Sequence, residues 1–134
     1  MREAVLDASV VLKWFHREGE VHAEAARGLR WEFEAGELRA IAPPLLWLEI
    51  INVAARRWRW NSSQLEALAA SLSDLGFELV EPEPEAIARW AGRGLTAYDA
   101  AYVAVAEETG VAVITDDAQI CRVATGLSEP LGER

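Results

Sequence analysis

Carboxylates stand at the ends of short apolar segments in distant parts of the chain. Asp7 follows an apolar segment near the N-terminus, and Asp116 and Asp117 follow a second one. Asp99 lies in the first turn of the helix predicted before that second segment. Carboxylates held ~4 Å apart repel by about 4 kcal/mol at an effective dielectric of about 20, so they take up protons or bind a divalent cation. An all-oxygen site favours Mg²⁺ or Mn²⁺ over zinc, and such ions activate water for phosphodiester hydrolysis.

Glu49 interrupts an otherwise apolar helix that is predicted over residues 45–59. A helix that is apolar almost all round is buried, and an ionised Glu within it is destabilising unless it has a partner. Asn52 and Arg56 share the face of Glu49, because they lie three and seven residues further along the helix. Glu49 is therefore either a fourth carboxylate of the site or a structural residue paired with Arg56 or Asn52.

The other acids also have structural alternatives. Asp7 could cap the helix that follows the first strand, and Asp99 could be the reciprocal half of a capping box that begins at Thr96. One of Asp116 and Asp117 could cap the last helix. Two hydroxyl residues near these acids, Ser9 and Thr115, are more often caps than ligands. The site hypothesis depends on the acids as a set.

Alternating strands and helices must position these residues. The predicted strands cover residues 3–7, 39–42, 77–80 and 111–115. The predicted helices cover residues 10–15, 20–35, 45–59, 64–75, 84–91, 97–109 and 118–124, with a break at Gly19 before the second. This order predicts an α/β fold, a three-layer sandwich with a mainly parallel central sheet. Ligands of such sheets bind outside the carboxyl ends of the strands, where Asp7 and Asp117 are expected.

Length and composition indicate one globular domain over residues 1–134, with residues 126–134 as a loosely ordered tail. The net charge of −9 argues against non-specific coating of nucleic acid, although it leaves open an enzyme whose acids bind metal. No apolar run reaches the ~20 residues needed to span a membrane, and no signal peptide is expected. A single cysteine, Cys121, fits a reducing cytoplasm.

Four segments together resemble the PIN-domain family, and most closely its VapC-type toxins of bacterial and archaeal toxin–antitoxin pairs. They are Val5-Leu6-Asp7-Ala8-Ser9, the segment from Pro43 to Asn52 with Glu49, Leu95 to Ala106 with Tyr98-Asp99-Ala100, and Val113-Ile114-Thr115-Asp116-Asp117. They occur in the order of the family and span nearly the whole chain. Each motif alone is weak, but four in order are fairly specific.

The resemblance implies a Mg²⁺- or Mn²⁺-dependent endoribonuclease that is the toxin of a toxin–antitoxin system. It implies RNA as substrate, a small antitoxin protein as partner, and a homodimer. The acidic quartet that it implies, which would hold the metal, is Asp7, Glu49, Asp99 and Asp117. Supporting polar positions correspond to Ser9, Asn52 and Thr115. Of the adjacent pair, Asp117 is assigned to the metal and Asp116 to a cap, although the resemblance leaves that choice open.

Two other functions fit parts of the pattern. A receiver-like phosphoacceptor domain is also an acidic α/β protein that uses Mg²⁺, but it needs a lysine at a late strand end, and the only lysine is Lys13. A catalytically silent PIN-like module would act by binding protein, and it would not need all four acids.

Overall fold

The structure is a computed structural model that describes residues 1–16 and 21–133. Its centre is a sheet of five strands, all parallel, which confirms the predicted α/β class. The strands are β1 (Arg2–Leu6), β2 (Leu38–Ala42), β3 (Glu78–Leu79), β4 (Val113–Thr115) and β5 (Ser128–Pro130). Their spatial order is β3-β2-β1-β4-β5, so the first strand of the chain lies in the middle of the sheet.

Seven α-helices connect these strands within the described ranges. They are α1 (Ala8–Phe15), α2 (Ala23–Glu34), α3 (Leu45–Arg56), α4 (Ser62–Ser73), α5 (Pro84–Ala91), α6 (Ala97–Thr109) and α7 (Ala118–Val123). The predicted elements agree within a few residues, and the break expected at Gly19 lies outside the described residues. No helix of the described ranges combines the length and hydropathy needed to span a bilayer.

Strand β1 pairs on both sides, and its sequence explains why. Val5 and Leu6 are completely buried, as expected for a parallel strand covered on both faces. Val5 is in register with Ile41 of β2 and with Val113 of β4. Because all three strands run in the same direction, their carboxyl ends meet at one edge of the sheet.

Helix α6 is buried over most of its circumference. Seven consecutive residues, Ala100–Ala106, are buried, and four of them are alanine. Such small side chains let the helix pack closely against its neighbours, which include α5 and β1. The helix ends at Gly110, whose φ of 71° lies in the left-handed region that glycine adopts without strain.

Helix α3 ends three residues before the predicted boundary at residue 59. The backbone N–H groups of Arg57 and Trp58 both donate to the carbonyl of Val53, which closes the last turn. Arg59 then adopts a φ of 56°, in the left-handed region, which is incompatible with continuing the helix. Trp58 stacks on the ring of His16 with centroids 4.5 Å apart, so the aromatic part of this segment packs rather than extending the helix.

The segment expected to be a loose tail is ordered in its described part, residues 126–133. Ser128–Pro130 forms β5 at the edge of the sheet, where Pro130 is in register with Thr115 of β4. A proline is tolerated on an edge strand because its missing N–H faces away from the ladder. A 3₁₀ turn follows at Leu131–Glu133, and Leu131 is fully buried. Burial of this side chain explains why the segment does not stay loose.

Truncation of Leu131 tests whether this segment belongs to the core. We expect Leu131→Ala to lower the free energy of unfolding by about 2–4 kcal/mol, because it removes a buried side chain and leaves a cavity. Urea denaturation followed by circular dichroism measures the change. The matched control is Leu48→Ala, since Leu48 is 69% exposed and its truncation should leave the midpoint nearly unchanged. Equal midpoints for both variants would show that the segment contributes nothing to stability.

Candidate metal centre

The candidate centre lies at the carboxyl edge of the sheet. Asp7 directly follows β1, and Asp116 and Asp117 directly follow β4. The two strands are neighbours, with Leu6 in register with Ile114. The sheet therefore brings these three residues to the same edge, although they come from opposite ends of the chain.

Asp7 is buried and is held by two hydroxyl groups. Its Oδ1 accepts from the backbone N–H of Ser9 at 3.0 Å and from the Ser9 hydroxyl at 2.5 Å. Its Oδ2 accepts from the Thr115 hydroxyl at 2.5 Å. The bond from the Ser9 backbone N–H makes Asp7 the N-cap of α1. Asp7 therefore has the capping role that the sequence analysis considered as its structural alternative. Only 4% of Asp7 is exposed, and both of its carboxylate oxygens accept hydrogen bonds.

Burial raises the pKa of Asp7 from 3.8 to about 6. Desolvation of the charged form is the largest cause, and it outweighs the hydrogen bonds from Ser9 and Thr115, which lower the pKa. The negative charge of Asp99 raises it further. Ionised Asp7 is therefore destabilising in the metal-free protein, and a nearby cation would relieve this effect.

Asp99 lies at the start of α6. The Thr96 hydroxyl accepts from the backbone N–H of Asp99 at 3.0 Å, which caps the helix and places the carboxylate in its first turn. Partial burial raises the pKa of Asp99, and the charge of Asp117 raises it further, while Thr96 lowers it. Asp99 in turn raises the pKa of Asp7 and of Glu49. Asp99 therefore interacts electrostatically with Asp7, Glu49 and Asp117.

Glu49 is held by a tyrosine from the neighbouring helix. The Tyr102 hydroxyl donates to Glu49 Oε1 at 2.5 Å and so connects α6 to α3. Burial and the charge of Glu49 raise the pKa of Tyr102 far above its ordinary value, so the hydroxyl keeps its proton and remains a donor. Partial burial also raises the pKa of Glu49. Among the described residues, Glu49 pairs with Tyr102. The sequence had suggested a structural pairing with Arg56 or Asn52 instead.

Tyr102 is not among the site residues predicted from the sequence. A tyrosine within an apolar helix is typical of a core residue, and its side chain is only 1% exposed. The available signal was its spacing, because a residue three positions after Asp99 lies on the same face of α6. Spacing indicates proximity to the site, but it does not identify Glu49 as the acceptor.

The two adjacent aspartates have different partners. Asp116 pairs with Lys13 (Nζ to Oδ2, 3.4 Å) and with His22 (Nδ1 to Oδ1, 2.8 Å). Its backbone N–H donates to the Ser9 hydroxyl at 2.9 Å. Lys13 is only 7% exposed, so a buried lysine faces this acid. Asp116 therefore has a structural role, since it connects the segment after β4 to Ser9, Lys13 and His22.

Asp117 caps α7, contrary to the expectation that Asp116 would be the cap. Its Oδ1 accepts from the backbone N–H groups of Gln119 (2.8 Å) and Ile120 (3.1 Å). Asp117 is the cap because α7 begins at Ala118, and the N-cap is the residue directly before the first residue of a helix. The charge of Asp117 still acts on Asp99, so the same carboxylate serves the helix and contributes to the acidic site.

The supporting residues divide into two groups. Ser9 and Thr115 contact Asp7 directly, and the Thr115 hydroxyl also accepts from the backbone N–H of Asp117 at 2.9 Å. Thr115 thus links the two acids at the ends of β1 and β4. Asn52 is exposed on α3 and lines a groove together with Glu49, without a hydrogen bond to an acid in the described part of the chain.

The donor chemistry of this site fits a hard divalent cation. Every candidate ligand is a carboxylate, and the charges of these acids raise one another's pKa. Among the described residues, no group of three or more His, Cys, Asp or Glu side chains is gathered closely enough to enclose an ion. Mg²⁺ does not require such a cage, since it keeps several waters and commonly binds through one or two carboxylates. The assignment of Asp7 and Asp99 as its principal ligands stays a prediction from the sequence.

The raised pKa of Asp7 predicts that the metal-free protein loses stability as the pH rises. The folded state binds this proton more tightly than the unfolded state, so the free energy of unfolding falls between about pH 4 and about pH 6. The loss is at most about 3 kcal/mol. We expect Asp7→Asn to raise the Tm in EDTA above about pH 6, with a smaller gain toward pH 4.

Scanning calorimetry at several pH values measures this difference. The control is Asp74→Asn, which changes an exposed aspartate at the end of α4 and should leave the Tm unaltered at each pH. A Tm of Asp7→Asn below that of the wild type at neutral pH would mean that the hydrogen bonds of Asp7 outweigh the cost of its charge.

Comparison with known proteins identifies the family of this chain. The PIN domain family model matches residues 4–126. The crystal structure of PAE2754 from Pyrobaculum aerophilum is similar, with a TM-score of 0.66 and 26% identity over 98% of this chain and 92% of that chain. No protein with a curated description matches the sequence. PIN domains are generally metal-dependent nucleases. The chain belongs to the PIN domain family.

Proposed function

We propose that the protein is a Mg²⁺-dependent endoribonuclease that hydrolyses phosphodiester bonds of RNA. The observation that carries this proposal is the acidic site, in which Asp99 raises the pKa of both Asp7 and Glu49 and Asp117 raises that of Asp99. A divalent cation bound among these carboxylates would offset their mutual repulsion. Mn²⁺ would suit the same carboxylates.

The bound ion would activate a water molecule and neutralise charge that develops on the phosphate. Asp7 and Asp99 would be its principal ligands, with Glu49 and Asp117 completing the acidic quartet. Asp7 with a pKa of about 6 is mostly ionised at neutral pH, and a cation would lower that pKa toward its ordinary value. Ser9, Thr115 and Tyr102 hold the carboxylates in position, since each donates a hydrogen bond to one of them.

We further propose that this nuclease is a toxin of a toxin–antitoxin pair. Its support is the similarity of the four acidic segments to VapC-type toxins. In that role the enzyme would act in the cytoplasm, form a homodimer and be inhibited by a small antitoxin protein. Copurification with the product of an adjacent small gene, together with growth arrest on expression, would support this role.

Loss of one ligand should abolish cleavage without unfolding the protein. We expect Asp99→Asn and Asp7→Asn to reduce the rate of RNA cleavage in Mg²⁺ by at least about 100-fold, as should EDTA with the wild type. Cleavage of a labelled single-stranded RNA is measured on gels, and circular dichroism checks folding. Asp74→Asn is the control and should cut normally.

Two results would contradict the assignment. Normal cleavage by Asp7→Asn and Asp99→Asn would show that the site is elsewhere. Failure of the wild type to bind Mg²⁺ in calorimetry, together with no cleavage, would favour a silent module that binds protein.

Tyr102→Phe tests the positioning of Glu49. It keeps the ring in the core and removes only the hydroxyl that donates to Glu49. We expect about 10-fold lower activity at limiting Mg²⁺, with partial recovery at high Mg²⁺, because a hydrogen bond donated to a metal-binding carboxylate affects metal affinity. Titration of activity against Mg²⁺ measures the shift. An unchanged Mg²⁺ dependence would restrict Tyr102 to a packing role.

A further inference from the structure

A glutamine in the first turn of α7 makes two hydrogen bonds that lead to two different acids. The backbone N–H of Gln119 donates to Oδ1 of Asp117 at 2.8 Å. Its side-chain amide nitrogen, Nε2, donates to the carbonyl oxygen of Gly94 at 2.6 Å. Gly94 belongs to the loop before α6, the helix whose first turn carries Asp99. Gln119 therefore connects the segment that holds Asp117 to the segment that holds Asp99.

The turn that carries Asp99 has little burial of its own. Residues 96–98 are exposed, and continuous burial of α6 starts only at Ala100. Before the turn, Leu95 is buried and attaches the loop to the core. Among the described residues, no backbone hydrogen bond joins this loop to the segment after β4. The side chain of Gln119 supplies a hydrogen bond between the two segments.

The loop is shaped to receive this amide. Gly94 has a φ of 108°, in the region that favours glycine, and its backbone N–H donates to the carbonyl of Ala91 at 3.0 Å. A Cβ added at Gly94 would lie 3.9 Å from Nε2 of Gln119, so the amide packs directly against this residue. Gly94 thus uses its donor within its own loop and its acceptor for the contact with α7.

The two acids that Gln119 connects repel each other. The charge of Asp117 raises the pKa of Asp99, so holding both carboxylates ionised and close together is unfavourable without a cation. A hydrogen bond between the segments that carry them opposes their separation. Its donor is a neutral amide, which adds no charge to the site. A lysine or arginine would also donate, but its charge would compete with a metal ion for the carboxylates.

We infer that Gln119 is a positioning residue, which holds Asp99 and Asp117 at the spacing that a divalent cation requires before the cation binds. It acts through the backbone of Gly94 and through the cap of α7, and it is not itself a metal ligand. Preorganised ligands bind an ion more tightly, because binding does not have to bring repelling groups together. This inference rests on the proposed metal site and adds a residue outside the acidic quartet on which metal affinity depends.

The competing role for Gln119 is purely structural. A side chain that only stabilised the loop before α6 would affect the free energy of unfolding. It would not affect the affinity of the folded protein for a metal ion, and it would act in the same way whether or not Asp117 is charged. Metal affinity and its dependence on Asp117 therefore separate the two roles.

Gln119→Met tests the inference, because methionine has a similar length but lacks the donor. The backbone N–H that donates to Asp117 is retained. The matched control is Gln64→Met, since Gln64 is also an exposed glutamine in the first turn of a helix, and its side chain accepts from the backbone N–H of Asn61 at 2.8 Å. Its helix, α4, carries none of the four acids. Electron paramagnetic resonance of free Mn²⁺ measures metal binding, and circular dichroism checks folding.

We expect Gln119→Met to weaken Mn²⁺ binding by about 10-fold, whereas Gln64→Met should bind as the wild type does. The Mg²⁺ concentration that gives half-maximal RNA cleavage should rise by a similar factor. The kcat at saturating Mg²⁺ should stay near that of the wild type, because the bound ion then holds the acids together.

An Asp117→Asn background provides the second readout. Asparagine removes the repulsion of Asp99 and keeps a side-chain oxygen that can cap α7. In this background we expect Gln119→Met to change Mn²⁺ affinity by less than about 3-fold, since residues that act as a pair have non-additive effects.

Other results would overturn the inference in distinct ways. Wild-type Mn²⁺ affinity in folded Gln119→Met would show that the amide does not position the acids. An equal loss of affinity with and without Asp117→Asn would show that Gln119 does not act through this pair. Mn²⁺ binding that depends on Gln119, without RNA cleavage by the wild type, would contradict the nuclease proposal and retain the positioning role. A wild type that binds no Mn²⁺ would contradict both.

Discussion

A buried carboxylate at the end of the central strand is the constraint on which the rest of this structure depends. Asp7 must follow β1 at the position where β4 supplies the Thr115 hydroxyl, and it must also begin α1. One residue is therefore a strand terminus, a helix cap and a candidate metal ligand. Its raised pKa shows that the hydrogen bonds it receives do not fully compensate for its burial. The fold tolerates this instability at the point where the proposed chemistry needs charge.

The other acids differ in how much of their charge is offset by neighbours. Asp116 faces Lys13 and His22. Glu49 and Asp99 have no cationic partner among the causes of their raised pKa values, to which burial and the charge of another acid contribute. An acid whose charge is stabilised by oppositely charged or hydrogen-bonding partners has a structural role. An acid whose charge is disfavoured by its neighbours is suited to binding a cation. Adjacent residues in the sequence can thus have opposite roles, because successive side chains after a strand point in different directions.

Sequence patterns predicted the class of fold and the acids at the strand ends, because both depend on local periodicity and residue type. They did not predict the bond between Tyr102 and Glu49 or the pairing of Lys13 with Asp116, because these contacts join elements that are distant in the chain. The strand at Ser128–Pro130 was missed for a related reason. A polar triplet containing proline has no strand signal of its own, and it becomes β5 only because β4 offers an unpaired edge.

The pairing of β1 with β4 has a consequence for the order of events during synthesis. Val5 and Val113 are in register, and Thr115 is 108 residues from its partner Asp7. The middle of the sheet therefore stays unpaired on one side until most of the chain has left the ribosome, and contacts of such long range form slowly. The acidic site is completed by nearly the last strand. The carboxyl edge that carries Asp7 is therefore assembled only once β4 has been made and has paired with β1.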